Sequence, residues 1–252
     1  MIGSEPIIEC RELSCGYGEA AVVSNVNLEV TRGEMIAIVG PSGSGKSTLL
    51  RTLLGILPPL EGEVRLLGQD PYALNREARE KLWRRVGILF QSDALLSSQT
   101  VLDNVALPLL QLTDYPAALA IEMARSRLEL MGVGGLESRL PSEVSGGERR
   151  RVALARAVIV DPEILFCDEP TGGLDPVAAV LLERLLRKLR DSLGTTVVVV
   201  THEMRTVKAI SDRVVMVCDG GVYAVGSFDE LRQSTDPCVR AFIHGDLPEV
   251  AA

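Results

Sequence analysis

Two short runs of residues have the types and spacing that phosphate chemistry needs. The first is Gly40-Pro41-Ser42-Gly43-Ser44-Gly45-Lys46-Ser47, a fit to the pattern GxxxxGK followed by Ser or Thr. Its glycines let the backbone curl until successive N–H groups face inward as an anion nest. A helix beginning there adds the partial positive charge of its N-terminus. Lys46 would then reach the β- and γ-phosphates of a nucleotide, and the Ser47 hydroxyl would ligate Mg²⁺. Thr48, next in the chain, is counted with the nucleotide-binding set. A Gly/Ser-rich turn before a helix is the bland alternative. With only four lysines in the chain, a chance match is on the order of a few in a thousand.

The second run is Asp168-Glu169, which follows the apolar stretch Ile164–Cys167. Ligands bind at the carboxyl edge of parallel strands, so two carboxylates there can divide the labour. Asp168 would hold the water shell of the metal, and Glu169 would orient and deprotonate an attacking water. A polar strand end is the competing explanation. A third run, Ser145-Gly146-Gly147-Glu148, reads as a capping box, which by itself accounts for Ser145 and Glu148. The glycine pair bares N–H groups at a helix start, which makes a second anion site. One P-loop already holds one nucleotide, so this second site points to a nucleotide held by another subunit.

These residues need elements to position them. Ile7–Ile8, Leu13, the Cys15–Gly18 turn and Val22–Val30 read as antiparallel β-structure. Met35–Val39 is a buried strand and Lys46–Leu57 a helix that stops before Pro58. A strand over Glu63–Leu67, a charged helix over Asn75–Arg85 and a strand over Val86–Phe90 follow. Between Ser92 and Asp161 there is little β signal, and helices are expected at Ala117–Met131 and Arg149–Val160. Further strands are expected at Ile164–Cys167, Thr196–Thr201 and Val214–Val217. Helix Pro176–Leu193 carries a stripe of Leu181, Leu182, Leu185, Leu186, Leu189 and Leu193, with Gly194 as its C-cap. Strand–helix–strand repetition argues a parallel α/β sheet. The reading divides the chain into a nucleotide-binding core (1–91 and 162–245), a helical insertion (92–161) and a frayed tail (246–252).

Composition bounds the class. The chain has 252 residues, 26 Lys+Arg against 34 Asp+Glu, a net charge of −8, and 46% hydrophobic residues. That suits one globular α/β domain with an inserted subdomain and excludes disorder as the main state. An acidic chain is a poor nucleic-acid binder, with Arg149–Arg151 the local basic cluster left open. No run approaches the roughly 20 apolar residues of a membrane helix. The start MIGSEPIIEC lacks the marks of a secretory signal. A soluble, cytosolic protein able to dock onto a membrane protein is expected. Five cysteines (Cys10, Cys15, Cys167, Cys218, Cys238) lack CxxC spacing, and His202 and His244 are far apart. Reduced, mostly buried thiols are therefore expected, with no zinc site or disulfide framework. His244 is expected at the surface.

Taken together, the runs resemble the ATP-binding-cassette ATPases over nearly the whole chain. Ser145–Arg149 is similar to the family's LSGGQ signature, Asp168-Glu169 to its Walker B end, and Gly172-Gly173-Leu174-Asp175 to its D-loop. Gln91 stands where the Q-loop glutamine does, with a catalytic and metal-holding role. His202 stands where the switch histidine does, and Tyr17 where the adenine-stacking aromatic does. The resemblance implies a P-loop, RecA-like α/β core with an N-terminal antiparallel β subdomain and an inserted helical subdomain. It implies ATP and Mg²⁺ as cofactors and a homodimer that sandwiches two nucleotides between P-loop and signature. Taken singly, Tyr17 also reads as an exposed turn residue, Gln91 as a strand-end amide and His202 as a capping or core histidine. Asp175 before Pro176 also makes an N-cap.

Four positions depart from the family pattern: Glu148 for the signature glutamine, Val144 for the leucine that precedes the signature serine, and Gly172-Gly173 for the D-loop's Ser-Ala. A cassette without a membrane span takes its purpose from a partner. Leu95, Leu96, Val101, Val105, Leu107, Leu109 and Leu110 make the region after Gln91 apolar, either wholly subdomain core or part core and part groove for a helix of a membrane subunit. The segments Gly87–Leu96, Thr100–Leu109 and Asp236–Gly245 resemble the Mla/Mce branch of lipid-transport cassettes. That branch implies a permease, an MCE-domain protein and in some members a STAS-domain partner. It also implies a place at the cytoplasmic face of the inner membrane. Thr171–Asp175 also resembles lipoprotein-release and cell-division cassettes, which stay as the alternative.

Overall fold

A computed structural model describes residues 6–244. Strands β1 (Pro6–Tyr17) and β2 (Ala20–Thr31) pair antiparallel, and β4 (Glu61–Leu66) flanks β1 on its other side, in the order β2-β1-β4. In β2 the inward residues Val23, Val26, Leu28 and Val30 are at most 5% exposed. The alternation expected of a half-buried strand is therefore present, shifted once at Asn25, whose φ is +53°.

The run Met35–Val39 forms β3, with every residue fully buried. It lies between β7 (Thr196–Val200) and β8 (Arg213–Cys218), parallel to both, and β9 (Gly221–Gly226) runs antiparallel beside β8. Continuous apolar sequence is what a strand covered on both faces requires. Helix α1 (Lys46–Leu53) follows β3 and is shorter than the expected Lys46–Leu57. The chain turns instead at Leu54–Leu57. There the Tyr72 hydroxyl donates at 2.6 Å to the Thr52 carbonyl and also bonds that of Leu57. Helices α7 (Met204–Ile210), α8 (Phe228–Arg232) and α9 (Pro237–His244) complete this part.

The chain divides into two compact units, the one just described (within 1–82 and 196–252) and a second, Trp83–Thr195. Helix α2 (Arg76–Trp83) leads to the second. In the second, β5 (Val86–Leu89) and β6 (Ile164–Asp168) pair in parallel with Leu89 opposite Cys167. Between them come α3 (Val101–Leu112), α4 (Ala117–Leu130), a short 3-10 turn (Pro141–Glu143) and α5 (Gly146–Ala157). No strand is described between residues 92 and 161. Val101, Val105 and Leu109 of α3 and Ala120, Ala124 and Leu128 of α4 recur every four residues and are at most 1% exposed.

Helix α6 (Pro176–Leu193) has the expected bounds, and Gly194 caps it with its N–H on the Arg190 carbonyl. Its leucine stripe is narrower than expected. Leu182, Leu186 and Leu189 are buried, whereas Leu181 and Leu193 are 42% and 48% exposed. Six leucines at those positions span more than the arc that one packed helix face covers. Of the basic cluster, Arg149 and Arg150 are turned onto their own chain, Arg149 onto Asp93 and Arg150 onto Asp93 and two main-chain carbonyls. These two guanidiniums are held by partners within their own unit. The expected tail at 246–252 lies outside the described residues, as does the side chain of His244.

Candidate functional site

In the first unit the site grows from the end of β3. Gly40, Gly43 and Gly45 all have positive φ (152°, 81° and 101°). At two of them a side chain has no room. A Cβ on Gly40 would lie 2.0 Å from the Val217 carbonyl oxygen, and one on Gly45 would lie 2.1 Å from a Val23 methyl. The loop is thereby pressed against β8 and β2, and its turn leads directly into α1. The Lys46 ammonium folds back on the loop and donates to the Gly40 and Pro41 carbonyls at 2.8 and 2.7 Å.

The start of α1 is built differently from those of α3, α5 and α6, and like that of α4 it carries no side-chain cap. Helices α3, α5 and α6 are capped by Thr100, Ser145 and Asp175. At α1 the N-cap is Gly45; no side chain caps it, and its first turn holds no acidic residue. The orphan N–H groups and the dipole of that end favour an anion from outside the chain. The Ser44 hydroxyl oxygen is buried without a hydrogen-bond partner, and Ser47 is exposed. Pro41, Ser42 and Gly43 form the exposed rim, and Thr48 is buried behind it. A phosphate chain fits this donor set.

Two further predicted residues belong to the same unit. The Thr201 N–H bonds the Ile38 carbonyl at 3.1 Å, so exposed His202 emerges at the edge of β7 beside the strand that carries the loop. Tyr17 ends β1, is 50% exposed, and its hydroxyl accepts from Arg51 of α1 at 2.6 Å. The ring is therefore fixed at its polar tip with a face left for stacking.

In the second unit, parallel pairing of β5 and β6 brings Gln91 and Asp168-Glu169 to one strand edge. Glu169 has φ +44°, a left-handed backbone that is costly outside glycine and typical of functional turns. The Gly172 N–H returns to the Glu169 carbonyl at 3.2 Å, and Asp175 caps α6 by accepting from Val177 and Ala178 at 2.9 and 3.0 Å.

Ser145 and Glu148 form the capping box in full. The Glu148 carboxylate accepts from the Ser145 N–H at 2.8 Å and its hydroxyl at 2.6 Å, while the Glu148 N–H donates back at 3.3 Å. The Ser145 hydroxyl bond, and then its backbone N–H, hold the Glu148 carboxyl below the usual carboxylate range. The acid that departs from the family pattern is thus turned onto its own helix cap. Gly146 is open to solvent, and a Cβ on Gly147 would come within 3.0 Å of Ala178 on α6.

Sequence reasoning missed what holds this edge. Asp93 and Ala94, both with positive φ (61° and 51°), form a tight turn after Gln91. Three arginines of α5 hold it. Arg150, 5% exposed, donates to the Phe90 and Gln91 carbonyls at 2.7 and 2.9 Å. Arg149 pairs with Asp93 at 3.0 Å, and Arg156 donates to the Asp93 and Ala94 carbonyls, both at 2.7 Å. Beyond the turn, Asn104 is fully buried. Its amide accepts from the Leu96 N–H at 2.7 Å and donates to the carbonyls of Leu96, Gln99 and Thr100. Leu96 itself is 43% exposed, Leu110 44% and Phe90 36%. A basic run beside a capping box was the only available hint of this network.

Residues 23–172 match the family model described as ABC transporter. The intermembrane phospholipid transport system ATP-binding protein MlaF of Haemophilus influenzae is 37% identical over 243 residues, 96% of this chain and 92% of that protein. The MlaF protein of Escherichia coli K12 is 39% identical over 239 residues, 95% and 89% of the two chains. The dimeric post-hydrolysis structure of the ATP-binding cassette MJ0796, bound to ADP and Pi, superposes with a TM-score of 0.80 at 32% identity, covering 87% of this chain and 98% of that one. The fold and the phosphate loop thus define a P-loop ATPase. The chain belongs to the ABC transporter family as an ATP-binding, ATP-hydrolysing cassette. Among the described residues no helix is long and apolar enough to cross a membrane.

Proposed function

We propose that this cassette is the ATPase motor of a lipid transporter of the bacterial envelope, acting as a homodimer beneath a membrane permease. The observation that carries the lipid reading is the identity of 37% and 39% to two phospholipid-transport ATP-binding proteins along 96% and 95% of the chain. An MCE-domain protein and a STAS-domain protein are the further partners of this reading, and the chain sits peripherally on the cytoplasmic face of the inner membrane.

Within the site, the proposed roles follow from local chemistry. Gly40–Thr48 wraps the phosphates, with Lys46 placing its charge on the β- and γ-groups. Ser47, Gln91 and Asp168 would hold Mg²⁺, which when bound neutralises charge on the transferred phosphate. Glu169 is the general base for water, and His202 a hydrogen-bond donor toward the γ-phosphate. Tyr17 stacks on adenine. Ser145, Gly146, Gly147 and Asp175 serve the nucleotide of the opposite subunit. Segment 92–161 is proposed as the helical subdomain within the 1–91 and 162–245 core.

Docking to the permease is assigned to the exposed apolar residues Phe90, Leu96 and Leu110 after β5. The test is Leu96→Asp in the cassette co-expressed with its permease. Because Leu96 is 43% exposed, the variant should keep its melting temperature and ATP binding yet fail to co-purify. Unchanged permease binding rules out docking at Leu96. For the cargo, the reconstituted complex in proteoliposomes should move a labelled phospholipid only with hydrolysable ATP. ATP-dependent release of a lipoprotein instead would favour the alternative cassette class.

A further inference from the structure

Two cysteines that sequence spacing keeps apart meet in the fold. Cys218 ends β8 and is 7% exposed, whereas Cys238 lies in the first turn of α9 and is half-buried. Their Sγ atoms are 2.9 Å apart. Two thiolates on one tetrahedral zinc, with bonds of about 2.3 Å, stay about 3.8 Å apart, so this approach is closer than a shared zinc ion allows. It is still longer than the about 2.05 Å of a bonded pair, so the two sulfurs are in contact and not joined.

The surroundings hold the two thiols in place. Asp236 caps α9 by accepting from the Cys238 and Val239 N–H groups at 2.9 and 3.1 Å, and the Tyr223 hydroxyl donates to its other oxygen at 3.0 Å. Val239 is 1% exposed in a core cluster with Val214, Met216 and Cys218. The helix is docked before any bond forms, so closure costs little ordering. Cys10, Cys15 and Cys167, by contrast, are at most 2% exposed.

We propose that Cys218 and Cys238 form an oxidisable dithiol, a covalent modification site for small-molecule disulfides of the glutathione disulfide class. Cys238, the more accessible thiol, attacks as its thiolate. A sulfur–sulfur bond forms between Cys238 and one half of the oxidant, the oxidant's own S–S bond breaks, and one glutathione thiolate leaves. Cys218 then loses its proton and attacks the Cys238 sulfur, expelling the second thiolate. Two cysteine thiols are oxidised, one disulfide is reduced, and the two released thiolates take up the two protons. Burial, followed by the bond to and charge of Cys238 and by Asp219, pushes the Cys218 thiol up to about 12, so Cys238 and not Cys218 meets the oxidant first. The bond would fasten α9 to the residue after Val217, whose carbonyl backs Gly40 in the phosphate loop.

The test uses the full chain, purified reduced and equilibrated in glutathione/glutathione disulfide buffers. It is then quenched in acid, labelled with a maleimide in denaturant, and mapped by mass spectrometry. A peptide pair joining Cys218 to Cys238 is expected, with Cys10, Cys15 and Cys167 fully labelled. The melting temperature should rise by about 5 °C or more, because the closed loop restricts the unfolded chain. Cys218→Ser should trap glutathione on Cys238, and Cys238→Ser should leave Cys218 unmodified. Absence of the 218–238 pair, links to other cysteines, or links only between chains would overturn the proposal. So would stoichiometric Zn²⁺ retained through desalting by the reduced chain and lost in both variants, since that marks a metal site instead.

Discussion

The guanidinium of Arg150 donates to the main-chain carbonyl of Gln91 at 2.9 Å, and the same group holds the Phe90 carbonyl at 2.7 Å. The side chain of Gln91 is thus presented from a turn whose backbone is fixed by the helix that begins at the Ser145 cap. One arginine links the proposed metal-holding glutamine to the proposed signature.

Arg150→Ala leaves two carbonyls without their donor and removes one of the two cations paired with Asp93, which is buried. Losing charge-assisted bonds in a buried place costs about 2–4 kcal/mol. The variant should unfold at lower urea and hydrolyse ATP at least about tenfold more slowly, while ATP affinity measured by calorimetry changes little. A variant with full turnover and wild-type stability would show that the Gln91 turn holds itself.

Lys46→Ala removes the cation from the phosphate loop. Nucleotide binding should weaken and turnover should vanish, since a charge-assisted contact to phosphate has no neutral substitute here. Fluorescent ATP titration and phosphate release give the two readings, and normal turnover would contradict the phosphate-loop assignment.

Glu169→Gln keeps the size and the strained backbone but removes the base. ATP should still bind, and hydrolysis should fall at least about 100-fold. The variant should accumulate as an ATP-bound dimer by size exclusion with light scattering. A strictly monomeric species at saturating ATP and Mg²⁺ would count against the two-nucleotide sandwich.

Glu148 supplies a pH test. Its folded pKa lies below the ordinary value because Ser145 donates to the charged form. The stability it contributes is therefore present above the unfolded value of about 4.3 and is lost as pH falls through the lower folded value. Glu148→Gln keeps an acceptor and drops the charge. The stability gap between wild type and variant should be small, because the group is exposed, and should close below about pH 4. A gap that widens on acidification would contradict the assignment.

Much of this was legible in the sequence because the signals were local. Gly40–Ser47, the apolar Met35–Val39 and the Asp175-Pro176 cap each specify their own geometry within a few residues. Helix α3 escaped because Pro108 sits in its last turns and its apolar residues surround the axis, which obscures the period. Arg149 and Arg150 looked like a surface patch because their partners, Asp93 and the carbonyls near it, lie more than 50 residues away. The Cys218–Cys238 contact was equally hidden, since only the packing of α9 on β8 creates it. Ser145 and Glu148 were read correctly as a cap because a capping box needs no long-range information.

Asn104 has a kinetic consequence. By occupying the Leu96, Gln99 and Thr100 backbone groups, its amide fixes the loop that carries Leu96 before any partner arrives. A surface frozen in advance meets its partner without a folding step, so the encounter should run at the rate of ordinary protein collision rather than wait for a rare conformer. Asn104→Ala should turn that one-step encounter into a slower, two-phase one in stopped-flow mixing with the detergent-solubilised permease.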